Sequence, residues 1–165
     1  MDHDVRPYEP TTDADALWAL KREFELGLGG ETGGEEKAEV YAAKLTADYE
    51  ASYLEWVDRC VAEEPEAVTV AAVEEELVGY AFVLPSSLAH VWDAAVLNEL
   101  YLEPAHRGSG VADDLMDAVL ETAREQELPL DRIVLDVDRE NDRAQAFYER
   151  HGFSHWGEMV ARPLE

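Results

Sequence analysis

Basic charge is what this chain has least of. Thirteen bases, of which only Lys21, Lys37 and Lys44 are lysines, stand against 38 acids, for a formal net charge of −25. Phosphate contacts need clustered Lys and Arg, so nucleic acid and anionic membrane are excluded as general partners. Cysteine is nearly absent as well. Cys60 is the single one, which rules out an internal disulfide and a cysteine-based zinc set. His3, His90, His106, His151 and His155 show no metal-ligand spacing, so no metal is expected. No apolar run approaches the ~20 residues a membrane span requires. The opening MDHDVRPYEP has no basic region followed by an apolar stretch. A secretory signal is therefore not expected, and the cytoplasm is the expected compartment.

The acids are spread along the chain rather than clustered, and lysine is scarce throughout. That pattern favours a halophilic, acid-rich surface over an electrostatic funnel for a cationic substrate. At ~1 M salt the Debye length is only ~3 Å, and long-range steering would be screened.

What the chain does have is enough apolar residue for a core: 47 % of 165 residues, with 9 % aromatic. No repeat and no composition shift marks a second domain, so residues 1–165 are read as one. VRPYEP reads as a first strand, and Thr12 and Asp13 as caps of a helix over 14–26. GLGGETGGEE, residues 27–36, holds five of the ten glycines. It lacks the G-x-G-x-x-G spacing and carries three acids, so it is read as a mobile connection or substrate-side lid. Residues 36–62 show helical periodicity through Tyr41, Leu45, Tyr49, Tyr53, Trp56 and Val57. Segments 67–73 and 77–84 read as a hairpin joined by an acidic turn. Segment 94–102 is a further strand with Leu100 and Leu102 on one face and Glu99 and Tyr101 on the other.

After that strand comes HRGSGVADDL, then an amphipathic helix to about residue 126. Leu115, Met116, Val119, Leu120 and Ala123 form its buried stripe. A helix N-terminus offers unpaired N–H groups and partial positive charge, and Gly108 and Gly110 keep side chains out of the way. Arg107 adds the only strong positive charge expected nearby. A Walker loop would need Gly-Lys-Ser/Thr, which is missing, so triphosphate hydrolysis is disfavoured. Residues 132–137 read as a strand. Asn141 can cap a short helix bearing Ala144, Phe147 and Tyr148, which Gly152 stops, and residues 153–161 read as a last strand. Strands alternate with helices in this half, which makes the chain an α/β domain around a mixed sheet.

The loop RGSGVA resembles the Arg/Gln-x-x-Gly-x-Gly/Ala loop of the GNAT superfamily of N-acetyltransferases, with Arg107, Gly110 and Ala112 in place. A second element, NDRAQAFYERHGF, matches the family's Asn-x-x-Ala, Tyr and Gly-Phe with Asn141, Ala144, Tyr148, Gly152 and Phe153. VRPYEPTTDADALWAL also resembles the family's first strand and helix, so the resemblance spans nearly the whole chain. Ala112 stands where glycine is commoner, an allowed variant.

The resemblance implies a mixed, mostly antiparallel sheet flanked by helices and splayed between the fourth and fifth strands. It implies acetyl-CoA as co-substrate, its pyrophosphate on Arg107, Gly108, Ser109, Gly110, Val111 and Ala112. The pantetheine arm would lie along Leu100, Tyr101 and Leu102, with further cofactor contacts at Asn141, Ala144 and Phe147. Tyr148 matches the general acid that protonates the leaving thiolate. Glu99 is the first candidate for the base, Asp136 the second, and Asn98 could orient a water instead. The acceptor is an amine, on a small molecule or a protein, and family members are often homodimers. Two rivals stand beside a small-amine acetyltransferase. One is an enzyme acetylating protein N-termini or lysines, of which LDVDREN is reminiscent. The other is a non-enzymatic acyl-CoA-binding module.

Overall fold

The computed structural model describes residues 2–30 and 34–164. One sheet runs in the order β1 (His3–Pro7), β2 (Val68–Val73), β3 (Glu76–Val83), β4 (Ala95–Leu102) and β5 (Ile133–Val134). Neighbours are antiparallel up to β4, and β4 and β5 are parallel. The helices are α1 (Pro10–Gly30), α2 (Gly34–Ala43), α3 (Ala47–Glu63), α4 (Val111–Glu125) and α5 (Asp142–Arg150).

β2 reads VTVAAV and is buried at every position. A strand buried on both faces belongs inside a sheet covered on both sides, and it lies between β1 and β3. On one face, Leu17 and Leu20 of α1 and Tyr53, Val57 and Cys60 of α3 pack on Val68, Val70, Tyr80 and Phe82. On the other, Leu115, Met116 and Val119 of α4 pack on Ala71, Val78, Ala81, Val83 and Leu97. β2 and β3 form the expected hairpin. Its two-residue turn, Glu74 and Glu75, has φ of 52° and 71°. Both central residues left-handed is the turn geometry that matches strand twist.

Several expected boundaries move. The first strand begins at His3 and ends at Pro7 rather than running to residue 10. α1 starts at Pro10, where a missing N–H costs nothing. Its caps are Glu9 and Asp13: Thr11 N donates to Glu9 Oε1 (3.2 Å), and Glu9 N donates to Asp13 Oδ2 (2.8 Å). The glycine-rich stretch is not the expected loop or lid. Residues 27–30 continue α1 and residues 34–36 open α2, while the centre of the stretch, residues 31–33, lies outside the described residues. Packing of α1 against α2 outweighs the ~1 kcal/mol each helical glycine costs. The single helical region expected over 36–62 is two helices, because Thr46 is extended and its hydroxyl accepts from Tyr49 N to start α3. The strand expected over 132–137 shrinks to Ile133–Val134. The last expected strand, 153–161, does not form: β5 offers only two residues of edge, and residues 154–164 are exposed throughout.

Asp13 also anchors α1 to β1. Arg6 NH1 and NH2 donate to its two carboxylate oxygens at 2.7 and 3.0 Å. The Arg6 bonds hold the Asp13 carboxyl below its ordinary value, burial opposing them. A depressed carboxylate stabilises the fold above its unfolded value, near ~3.9, and loses that contribution as pH falls through the folded value. We expect Asp13→Asn to lower unfolding free energy at pH 7 by about 1–2 kcal/mol, the guanidinium being partly in water. The difference should shrink as pH falls below about 4. Urea denaturation at the two pH values checks this, and an undiminished difference in acid would count against it.

Candidate active site

The sheet changes character at Asn98. Phe82 pairs with Glu99 and Val83 with Leu97, so Asn98 is an extra residue in β4. Such a bulge bends the strand and raises its twist. On its other side β4 meets β5 only at Ala95 and Val96. Beyond that point no strand lies beside β4 among the described residues, and the expected splay between the fourth and fifth strands is present. Leu100, Tyr101 and Leu102 lie on this stretch, paired to Ala81, Tyr80 and Gly79 of β3.

The chain leaves β4 at Leu102 and turns back at Arg107, whose Nε donates to Leu102 O (3.0 Å). The Arg107 guanidinium lies 5.7 Å from the Tyr101 ring centre, so much of this residue's role is to brace the loop. Ser109 Oγ donates to His106 O within the same loop. Gly108 and Gly110 have φ of 79° and 93°, and a Cβ on either would meet no atom within 4 Å. Gly110 is the N-cap of α4 and supplies no side chain to its first turn. The amides of Val111 and Ala112 thus head a helix facing open space, a cradle that a Cβ would begin to fill.

Two acids in that first turn would seem to repel an anion. Each is bonded to a basic side chain from elsewhere in the fold. Asp113 Oδ1 lies 2.9 Å from both His151 Nε2 and Arg150 NH2 at the end of α5. The His151 and Arg150 bonds hold the Asp113 carboxyl below its ordinary value. Asp114 Oδ2 lies 2.5 Å from His3 Nε2 of β1. Arg107 is therefore not the only strong positive charge here, as the sequence suggested. The donors fit a diphosphate: helix amides and an arginine, with the nearby carboxylates already bonded elsewhere.

α5 carries Tyr148. Asn141 Oδ1 accepts from Ala144 N (3.1 Å) and starts the helix. At the other end Gly152 has φ of 91°, Gly152 N donates to Glu149 O, and Phe153 N donates to Tyr148 O, each at 3.0 Å. This pair of bonds is the Schellman closure, and it places Phe153 back over the last turn. The Tyr148 ring sits between Phe147 (5.4 Å) and Phe153 (5.6 Å). Its hydroxyl has no hydrogen-bond partner among the described residues. Burial pushes the phenol up to about 12.

Glu99 faces the other side of the sheet and is 5 % exposed. Tyr53 OH and Tyr80 OH both donate to its Oε1 at 2.8 Å. Lys21 Nζ and Asn98 Nδ2 both donate to its Oε2 at 3.1 Å. Burial, and then the Glu99 charge, raise both phenols above their ordinary value. Asp136 lies in the irregular segment after β5 and is exposed. Tyr148 packs with the α4 face, and Glu99 bonds to Tyr53 and Tyr80 of the α1 and α3 face, so the two candidates lie on opposite faces of the sheet.

Residues 33–153 match the Acetyltransferase (GNAT) family. The chain belongs to that family. Its reaction class is N-acetyl transfer with acetyl-CoA as co-substrate. An uncharacterised N-acetyltransferase of Mycobacterium tuberculosis is 34% identical over 152 residues, 92% of this chain and 89% of that protein. The mycothiol acetyltransferase of Salinispora tropica is 39% identical over 70 residues, 41% of this chain and 22% of that one. Among solved structures, the PaiA N-acetyltransferase of Thermoplasma acidophilum, in complex with coenzyme A, superposes with a TM-score of 0.72 at 19% identity. It covers 93% of this chain and 91% of its own. The aminoglycoside acetyltransferase AAC(6')-Iy, with a bisubstrate analogue, gives 0.71 at 16% identity over 100% of this chain and 99% of that chain. At such identities these neighbours establish the GNAT fold and nothing finer.

The GNAT loop and the Asn-to-Gly-Phe element thus serve here as local caps and turns. The site neighbours missing from the sequence reading are Lys21, Glu25, Tyr53 and Tyr80. A signal did exist for Lys21 and Glu25. They sit four residues apart on the stripe of α1 that buries Leu17 and Leu20, and a charge at a core position needs a buried partner. We expect Gly152→Ala, forced to a left-handed φ, to cost about 1–2 kcal/mol. It should also lower kcat while leaving acetyl-CoA affinity near wild type, since it loosens Phe153 from Tyr148. Thermal unfolding with steady-state kinetics reads both, and an unaltered kcat would refute the bracing role.

Proposed function

We propose that this chain moves an acetyl group from acetyl-CoA to a primary amine by direct attack on the thioester, within a single domain spanning residues 1–165. The observation that carries the reading is the uncapped N-terminus of α4, placed by Arg107 beside the end of a β4 edge that β5 has left. A diphosphate would take the amides from Gly108 to Ala112, with Arg107 adding charge. Leu100, Tyr101 and Leu102 would offer backbone groups to the pantetheine arm, and Asn141, Ala144 and Phe147 would flank it on α5. Acetyl-CoA supplies the activated acyl group, and the chain's residues supply orientation and proton handling.

Tyr148 holds a proton for the departing thiolate. Its phenol, raised to about 12, stays protonated at any working pH, and its hydroxyl is not committed elsewhere. Glu99 takes the amine's proton. Both of its oxygens already accept two donors, so the proton enters through the hydroxyls of Tyr53 and Tyr80 rather than by direct contact. Asp136, exposed and on the far side of the gap, is the second candidate for the same task.

Coenzyme A thiol release in the presence of polyamines, amino sugars and unblocked peptides tests the activity and ranks acceptors, small or protein-borne. Tight acetyl-CoA binding with no release from any of them would favour a binding module instead. Tyr148→Phe should lower kcat by about 10²-fold with unchanged acetyl-CoA affinity. The ratio of the two enzymes should stay constant up to about pH 10, below the phenol's titration. Full turnover by the variant would remove Tyr148 from the reaction. Gly110→Asp should weaken acetyl-CoA at least about tenfold in isothermal titration, because a carboxylate enters the diphosphate cradle. Normal affinity with a normal melting temperature would refute that placement.

A further inference from the structure

We propose that Lys21 is a positioning residue for acetyl transfer: its ammonium sits between the Glu25 and Glu99 carboxylates and keeps Glu99 available for the acceptor's proton. The proposal rests on the reading of Glu99 as proton acceptor.

Lys21 Nζ is 2.5 Å from Glu25 Oε1 and 3.1 Å from Glu99 Oε2, and the three residues are 3 %, 3 % and 5 % exposed. Lys21 Nζ also lies over two rings, 4.8 Å from the centre of Tyr53 and 5.5 Å from that of Phe24. Every element packed on this group contributes to it. α1 supplies Lys21 and Glu25, α3 supplies Tyr49 and Tyr53, β3 supplies Tyr80, and β4 supplies Asn98 and Glu99. Lys44, just after α2, reaches Glu25 Oε2 at 2.9 Å, an ion contact without hydrogen-bond alignment. Two acids and two lysines balance, but the Lys44 side chain is 35 % exposed and its charge is shared with water. Lys21 is the buried cation of the group. Burial opposes its charge, yet Glu99 and Glu25 together outweigh burial, and its pKa is raised.

Packing alone does not require such a group. An ammonium and two carboxylates all lose hydration here, and apolar residues of similar volume would fill the space at lower cost. Remove the ammonium, and two carboxylates face each other in a dry site. Like charges so placed share a proton between them. A proton held there, on the Oε2 side, neutralises the Glu99 carboxyl, so that Oε1 no longer accepts the next one. Lys21 prevents this while its bond to Oε2, with that of Asn98, leaves Oε1 to the two tyrosines.

The test compares wild type, K21M, K21M/E25Q and E99Q with acetyl-CoA and the fastest acceptor of the amine panel, from about pH 6 to about pH 9. Dividing each variant's kcat/KM by that of wild type at the same pH cancels the ionisation of the acceptor. For K21M the ratio should fall about tenfold or more toward the acid end. For K21M/E25Q, which has no second carboxylate to share a proton, it should be flat and higher. Acetyl-CoA affinity should be unchanged in both, since the α4 cradle is untouched. A low but pH-independent ratio for K21M would mean that Lys21 only packs, and would overturn the proposal. Wild-type turnover by E99Q would instead overturn the Glu99 reading and this inference with it. If K21M alone does not fold, the double variant decides. Substantial activity at every pH is then expected, and inactivity with intact acetyl-CoA binding overturns the proposal.

Discussion

Asn98 is one residue too many for the ladder between β3 and β4, and β4 parts from β5 after two pairs. The two facts belong together. A bulge turns the strand, and a turned strand cannot stay parallel to its neighbour. The same turn brings Leu97 into the α4 core beside Leu102, while Glu99 points into the α1 and α3 side. One inserted residue thus goes with both a gap between strands and a carboxylate buried under α1 and α3. The sheet can tolerate the loss of pairing because β2 and β3, buried and continuous, carry both cores.

Around that gap the polypeptide uses ordinary termini as its working parts. α4 begins with a glycine that leaves its amides uncapped, and side chains from β1 and α5 bond the acids of its first turn. α5 begins with an asparagine cap and ends in a glycine closure that folds Phe153 onto Tyr148. The residues that mark the family in sequence are, in large part, those that set where these two helices start and stop. Below the sheet the charges are handled differently. There the acids are buried, and an internal lysine is needed to let them coexist.

Much of this was legible from residue types alone. The Arg107 to Ala112 loop, the Asn141 cap and the Gly152 stop are local features, and each stands where local chemistry puts it. The hairpin of β2 and β3 and the buried stripe of α4 follow from period and turn position. Two of the errors are cases in which the surroundings outside the segment decided. Residues 27–30 look like linker and are the end of α1, a helix that packs against α2. Residues 153–161 alternate like a strand and are not one, because no edge is offered to them. Arg107 looked like a free cation and is spent partly on Leu102 and Tyr101.

The sequence by itself determined the elements whose cause lies within a few residues: caps, stops, turns, and the apolar faces that make this an α/β chain whose fourth helix opens on a glycine. Only the tertiary structure decided who faces Glu99. Lys21, Tyr53, Tyr80 and Asn98 come from α1, α3, β3 and β4, up to 78 positions away in the chain. No periodicity encodes such a meeting. It arises because three layers close over a bulged strand, and a buried carboxylate gathers whatever donors that closure brings within reach.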